Sequence, residues 1–355
     1  MPRVLLRLAI VLTLCIPFAG IPAVAHAQPM KIVIGAAQAD NHAPIFAGVE
    51  KGFFAAAGLD AKVVLYSTGV DMLNGQLNGA QQVSVLGTAP FLAGVANGFP
   101  LVMIATLHGS PLSDSYSENQ AIVASASSGI KPGDLKSLAG KRIALPFGTD
   151  AQTYLVNLLG QAGIPASHVR LINAGPATLA TALENGDADA ISIWQPWGSA
   201  TLANVKGSVP VIAGGCIDCF MPGTVLTSRK VIAGRKVLLQ RFMLAFARAE
   251  QWVRQHNNAA AAIDTHWIQG VSLSILESSL HHSRFDPRIS KLTIEGFAKK
   301  SIPQMLAAHE IRRRFNPAAS IDAEFILAAE RKAPQYFSDL PPIPAADRLA
   351  PPSGH

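Results

Sequence analysis

Asp187-Ala188-Asp189-Ala190-Ile191-Ser192-Ile193-Trp194-Gln195-Pro196-Trp197 is the stretch whose reading decides the fold. Its middle is a short apolar run that reads as a buried strand, and it stops at two indoles, an amide and a proline. In open α/β sheets, ligands sit beyond the carboxyl ends of the strands. Trp194, Gln195 and Trp197 are therefore candidates for a ligand wall. A lone tryptophan would more often be core, because tryptophan is mostly buried on average. The pair flanking a proline at a strand end favours a site.

About a hundred residues earlier the pattern recurs. Leu77-Asn78-Gly79 ends a helical segment, Gln82-Val83-Ser84-Val85-Leu86 reads as a strand, and Gly87-Thr88-Ala89-Pro90 follows it. The second copy runs Leu183-Glu184-Asn185-Gly186 and then the opening stretch. Glycine after the last helical turn suits the left-handed cap. Two similar halves, each offering a strand end, make a cleft. Between the copies and around them, strands alternate with helices: Lys31–Gly35, a helix from Ile45 to Phe54, Ala61–Tyr66, Leu101–Ala105, Ala121–Ala124, Arg142–Leu145 and Val169–Ile172. That alternation predicts a doubly wound, mainly parallel sheet. A long amphipathic helix is predicted over Lys236–His256, with more helices through Arg331 and an extended or disordered proline-rich tail from 339 to 355.

Residues 1–27 read as a cleavable export signal. Arg3 and Arg7 precede an apolar run, and Ala25-His26-Ala27 is a small-residue cleavage site. The run is too short and too interrupted by Pro17 and Pro22 to be a stable span. Removing 1–27 takes away two arginines and no acid, lowering the formal charge from +6 to +4. That charge is spread out, so nucleic acid is poorly supported as a partner. With 49% hydrophobic and 15% charged residues, the chain has ample core for two domains or one large one. Cys216 and Cys219 remain after cleavage, in a glycine-flanked loop. In an exported chain the pair suits a small disulfide loop, with free thiols as the alternative.

Lys51-Gly52-Phe53-Phe54-x3-Gly58-Leu59-Asp60, Gly87-Thr88-Ala89-Pro90-x3-Ala93 and Gly98-x-Pro100-Leu101 together resemble the substrate-binding proteins of ATP-binding-cassette importers for nitrate, alkanesulfonate and taurine. Asp134-Leu135-x4-Gly140-Lys141-Arg142-Ile143-Ala144 is similar to that family's entry into its second lobe, stretched here by Ser137-Leu138-Ala139. Asp187-Ala188-Asp189-Ala190 with Trp194-x-Pro196 continues the likeness, which covers residues 31 to 230. The resemblance implies a two-lobed type II periplasmic-binding-protein fold. Lobe 1 would hold 28–119 and 223–338, and lobe 2 would hold 120–222. It further implies a periplasmic monomer that closes on a small organic or inorganic anion, a sulfonate first. It implies no cofactor, and a membrane permease as partner.

Carried over by the resemblance, the loop after the first strand points to Gln38, Asn41 and His42, and the turn before a second-lobe helix points to Gly148, Thr149 and Asp150. Thr88 and Ala89 open a helix, where free N–H groups and the helix dipole suit an anion; an N-cap role is the alternative for Thr88. Thr149 with Gln152 fits a capping box. Ser110 and Ser113 lie in a polar loop from which they could reach the cleft, though a surface role is the commoner one for loop serines. Gln195 stands where taurine-type members often carry an acid, which weighs against taurine itself.

Other chemistry is poorly supported. There is no GxxxxGK[ST] run for nucleotide hydrolysis. His281-His282 and His266 do not form a metal pattern, because adjacent helical residues point about 100° apart. No base can be paired with any serine nucleophile. A pyrimidine-synthase-like enzyme on the same fold is the rival from another class, and a thiamine pyrimidine precursor or aromatic carboxylate is the rival ligand.

Overall fold

The computed structural model describes residues 28–350; the expected export signal over 1–27 and the last five residues lie outside them. Lobe 1 begins with β1 (Met30–Ala37), α1 (Ala43–Glu50), α2 (Phe53–Ala56), β2 (Leu59–Tyr66), α3 (Gly69–Leu77), β3 (Val83–Leu86), α4 (Thr88–Ala96) and β4 (Leu101–His108). The chain then crosses over. The second lobe holds β5 (Gln120–Ala124), β6 (Arg142–Leu145), α5 (Asp150–Gln161), β7 (Arg170–Asn173), α6 (Pro176–Glu184), β8 (Ala190–Trp194), α7 (Trp197–Asn204) and β9 (Val209–Ala213). It returns through β10 (Gly223–Ser228) and α8 (Arg229–Gly234). The remaining helices are α9 (Lys236–Gln255), α10 (Asn257–Trp267), α11 (Leu273–Leu280), α12 (Lys291–Gly296), α13 (Ile302–Ala307) and α14 (Glu324–Lys332).

The two sheets share one topology, β2-β1-β3-β10-β4 and β7-β6-β8-β5-β9. In each, four strands run one way and one runs the other. The reversed strand is β10 in the first sheet and β5 in the second, each antiparallel to both neighbours. Each is also the first strand the chain makes after crossing between lobes, so it enters from the opposite end. The sequence echo has a physical basis here: β3 and β8 hold the same third position, and both point their carboxyl ends at the cleft between the sheets.

Several boundaries differ from the sequence expectation. The helix expected over 45–54 is two helices, because Gly52 adopts φ 69°, a left-handed conformation that breaks the run. The strand expected over 101–105 continues to His108, with every residue buried. The strand β9 was not anticipated; its Val209-Pro210 start reads as loop, yet it lies on the sheet edge, where proline is tolerated. The expected extended tail is docked from 339 to 350. Arg288 donates to the Pro341 carbonyl at 2.9 Å, Lys291 donates to the Ala346 carbonyl at 2.7 Å, and Ile343 is buried.

Packing follows the apolar stripes. In α9 the stripe from Leu238 to Val253 faces lobe 1, and Phe242 stacks between Phe54 and Phe246 with centroids 5.6 and 5.7 Å away. In lobe 2 two apolar clusters cover the two sides of the sheet. Cys216 is joined to Cys219. Among the described residues, no helix is long and apolar enough to cross a membrane.

Candidate ligand site between the lobes

A cavity of about 50 Å³ lies between the strand ends of the two lobes. Lobe 1 lines it with Asn41, His42, Met72 and His108, among others, and lobe 2 with Gln120, Thr149, Asp150 and Trp194. The cavity therefore has room for several water-sized groups.

Its polar groups are buried, and most are already committed. His42, in the turn after β1, accepts the Ala37 N–H at Nδ1 (2.9 Å), which leaves the proton on Nε2. The Asn41 amide lies 2.9 Å from His108 Nε2, and Tyr116 Oη lies 3.2 Å from His108 Nδ1. Burial pushes both histidines down to about 3, so both are neutral at physiological pH. The far end of the Asn41 amide has no protein partner, and neither does the carbonyl end of Gln120. Swapping O for N in either amide changes donor to acceptor but leaves one end free, so both free ends call for a hydrogen-bonding partner.

The anion cradles differ from expectation. The Thr88 and Ala89 amides, expected to be free for a ligand, are taken. Asp150 of lobe 2 accepts both, Thr88 N–H at 3.1 Å and Ala89 N–H at 2.6 Å, and so caps α4 from across the cleft. The Thr88 hydroxyl donates to the Pro222 carbonyl at 2.6 Å. Burial pushes Asp150 up to about 7, with the two amide bonds pulling the other way. The capping box at Thr149 does not form. Thr149 donates to the Pro146 carbonyl, and Gln152 instead accepts the Gly148 N–H at 2.9 Å. The first turn of α5 therefore has no side-chain cap; its Gln152 N–H donates to the Thr149 carbonyl at 3.0 Å, so the second amide cradle at the cavity is formed by the Asp150 and Ala151 N–H groups.

Of the residues singled out in the sequence, Asn41, His42, Thr149, Asp150 and Trp194 line this cavity. The others lie around it. Gly148 is exposed in the turn before α5, and Ser110 accepts the Leu112 N–H within its own loop. Gln195 is buried, and its amide oxygen accepts the Ser199 N–H at 3.0 Å, so it serves α7. The carboxyl group at the cavity is that of Asp150, and the inference against taurine drawn from Gln195 loses its geometric basis. Trp197 donates its indole N–H to the Gln38 carbonyl at 2.8 Å, a hydrogen bond between lobes. Gln38, Trp197, Tyr66 and Thr178 line a neighbouring cavity of about 320 Å³. His108, Asn119 and Gln120 were missed. His108 is the carboxyl end of β4, and the strand-end rule that found Trp194 would have found it had that end been placed correctly; Gln120 is the amino end of the reversed strand β5, which that rule does not reach.

Comparison with known proteins agrees with this architecture. The family model described as NMT1/THI5 like matches residues 39–260. A Bacillus subtilis protein named as an aliphatic sulfonates-binding protein is 29% identical over 241 residues, which is 66% of this chain and 69% of that protein. Among solved structures, the alkanesulfonate-binding protein SsuA from Xanthomonas axonopodis pv. citri, bound to MOPS, has a TM-score of 0.72 at 19% identity, covering 83% of this chain and 99% of that one. The periplasmic nitrate-binding protein NrtA from Synechocystis PCC 6803 has a TM-score of 0.71 at 13% identity, covering 88% and 90%. At such identities these structures show a shared fold. With the family model spanning more than half the sequence, the chain belongs to the NMT1/THI5-like family and has the two-lobed fold of periplasmic binding proteins.

Proposed function

We propose that this chain is the extracytoplasmic solute-binding component of an ATP-binding-cassette importer, exported by its first 27 residues, and that its lobes close on a small organic anion, a sulfonate first. The observation that carries the reading is one cavity where the strand ends of both sheets and the N termini of α4 and α5 converge. A sulfonate would set its oxygens at the uncapped first turn of α5 beside Thr149, with the Trp194 indole against its organic part. The relatives named above as sulfonate-binding support that choice, and a binding role rather than catalysis. The cavity suits a ligand of few atoms. Delivery would be to a membrane permease, with hinge closure trapping the solute.

A second ligand reading rests on the free ends of Asn41 and Gln120. Two buried amide ends beside a carboxylate suit a ligand bearing N–H groups, such as an amino heterocycle related to a thiamine precursor.

A thermal-shift screen separates the readings. Purified protein, unfolded and refolded to strip carried solute, is tested with ethanesulfonate, taurine, nitrate, an aminopyrimidine and benzoate. A ligand that binds only the native state raises stability by RT ln(1 + [L]/Kd). The expected result is a concentration-dependent rise with ethanesulfonate. A rise with the aminopyrimidine alone selects the second reading, and turnover of a panel compound would overturn the binding role.

A further inference from the structure

We infer that the Asp150 carboxylate is a built-in occupant of the α4 N terminus, one that ties the lobes together and keeps an anionic head group off that helix, so that residue 150 helps determine which solutes the cleft admits. The inference rests on the reading of the cleft as the ligand site and specifies how that site selects.

Asp150 opens α5 in lobe 2, and the helix it caps belongs to lobe 1. Its two oxygens take one amide each, the geometry a carboxylate or sulfonate ligand would adopt there. Gly87, the residue before α4, has no side chain to provide a cap, and a methyl group on it would collide with the Asp150 carboxylate. The close approach therefore depends on glycine at 87. Among the described residues, no cation faces this carboxylate. The groups around it are the α4 amides, Glu310 beyond Thr153, and the neutral His42 and His108 that share the cavity. The α4 dipole is the positive partner. An anion entering the cleft then has two options. It can displace Asp150 from α4, or it can sit at the first turn of α5, where Asp150 is the first residue and repels it. Both options weaken anion binding relative to a cleft lacking this acid. A neutral or donor-bearing solute meets no such opposition.

The bridge also acts without any ligand. Opening the lobes uncaps α4, so Asp150 favours the closed arrangement on its own. Further hydrogen bonds between lobes help it, among them Trp197 to the Gln38 carbonyl at 2.8 Å, Thr153 to Glu310 at 2.6 Å and Asn157 to Gln304 at 3.0 Å.

The test uses stripped protein in three forms: wild type, Asp150→Ala and Gly87→Ala. The last removes the bridge from the opposite lobe and leaves residue 150 intact. Circular dichroism and a cooperative melt establish folding of each. Small-angle scattering at pH 8 without solute should give a larger radius of gyration for both variants than for wild type. Calorimetric titration should give ethanesulfonate an affinity roughly tenfold tighter for Asp150→Ala than for Gly87→Ala, since both lack the bridge and only the second keeps the like charge. Equal radii for all three proteins, or ethanesulfonate binding by Asp150→Ala no tighter than by Gly87→Ala, would overturn the inference. If both variants open but neither they nor wild type bind any sulfonate, the bridge stands and the sulfonate reading of the cleft falls.

Discussion

His42 and His108 on one wall of the cleft and Asp150 on the other are held in opposite protonation regimes by the same cause, burial. Asp40 and Glu310 are likewise pushed up to about 7, and Glu250 and Asp264 are raised well above the usual carboxylate range. A raised carboxyl contributes stability that is complete below its unfolded value near 4 and is lost as pH rises through about 7. The depressed histidines contribute the opposite: stability present above 6.5 and lost as pH falls toward 3. Five acids outweigh three depressed histidines, His282 included, between these limits, so the melting temperature should be higher at pH 5.5 than at pH 8, and should fall again below pH 4. Asp150→Ala should reduce the gain. Melts that stay flat or drop between pH 8 and pH 5.5 would contradict the assignment. At this scale the sequence was partly legible. Trp194, Asn41, His42 and Thr149 could be placed by strand ends and family pattern. The partner of Asp150 could not, because it is 61 residues away in another lobe and chemically resembles a ligand.

The elements were more legible than the residues. Period-2 and period-3.6 patterns located most strands and helices, and the recurrence around Leu86 and Trp194 anticipated that β3 and β8 are topological equivalents. Misses came where one residue overrode a pattern: Gly52 split an apolar helix, and Pro210 disguised an edge strand. The expected tail is a third case, since its prolines keep it out of long regular elements but do not prevent docking. The main helix offers a sharp packing test. Phe242 is fully buried in α9 between two stacked rings. Phe242→Ala should cost about 3–5 kcal/mol, read from the urea midpoint with unchanged m-value. A loss under about 1 kcal/mol would mean that the α9 face does not anchor lobe 1.

At the scale of the molecule, two sheets of one topology face each other across a cavity, and the reversed strands β5 and β10 mark where the chain crosses. Such a molecule can trap a solute by moving two rigid bodies, with little demand on either core. The cores absorb most of the apolar sequence, which is why the strand and helix patterns could set the fold class while leaving the ligand open. Selection falls to the few polar groups at the cleft, and those are split between lobes.

The account therefore depends on whether solute binds there. Isothermal titration of ethanesulfonate into stripped wild type and Trp194→Ala, at two temperatures, is the most direct measurement. The account predicts saturable one-to-one binding with a negative heat-capacity change for wild type, and loss of measurable binding for Trp194→Ala. Equal binding by both proteins would place the solute elsewhere, and no binding by wild type would contradict a sulfonate site between the lobes.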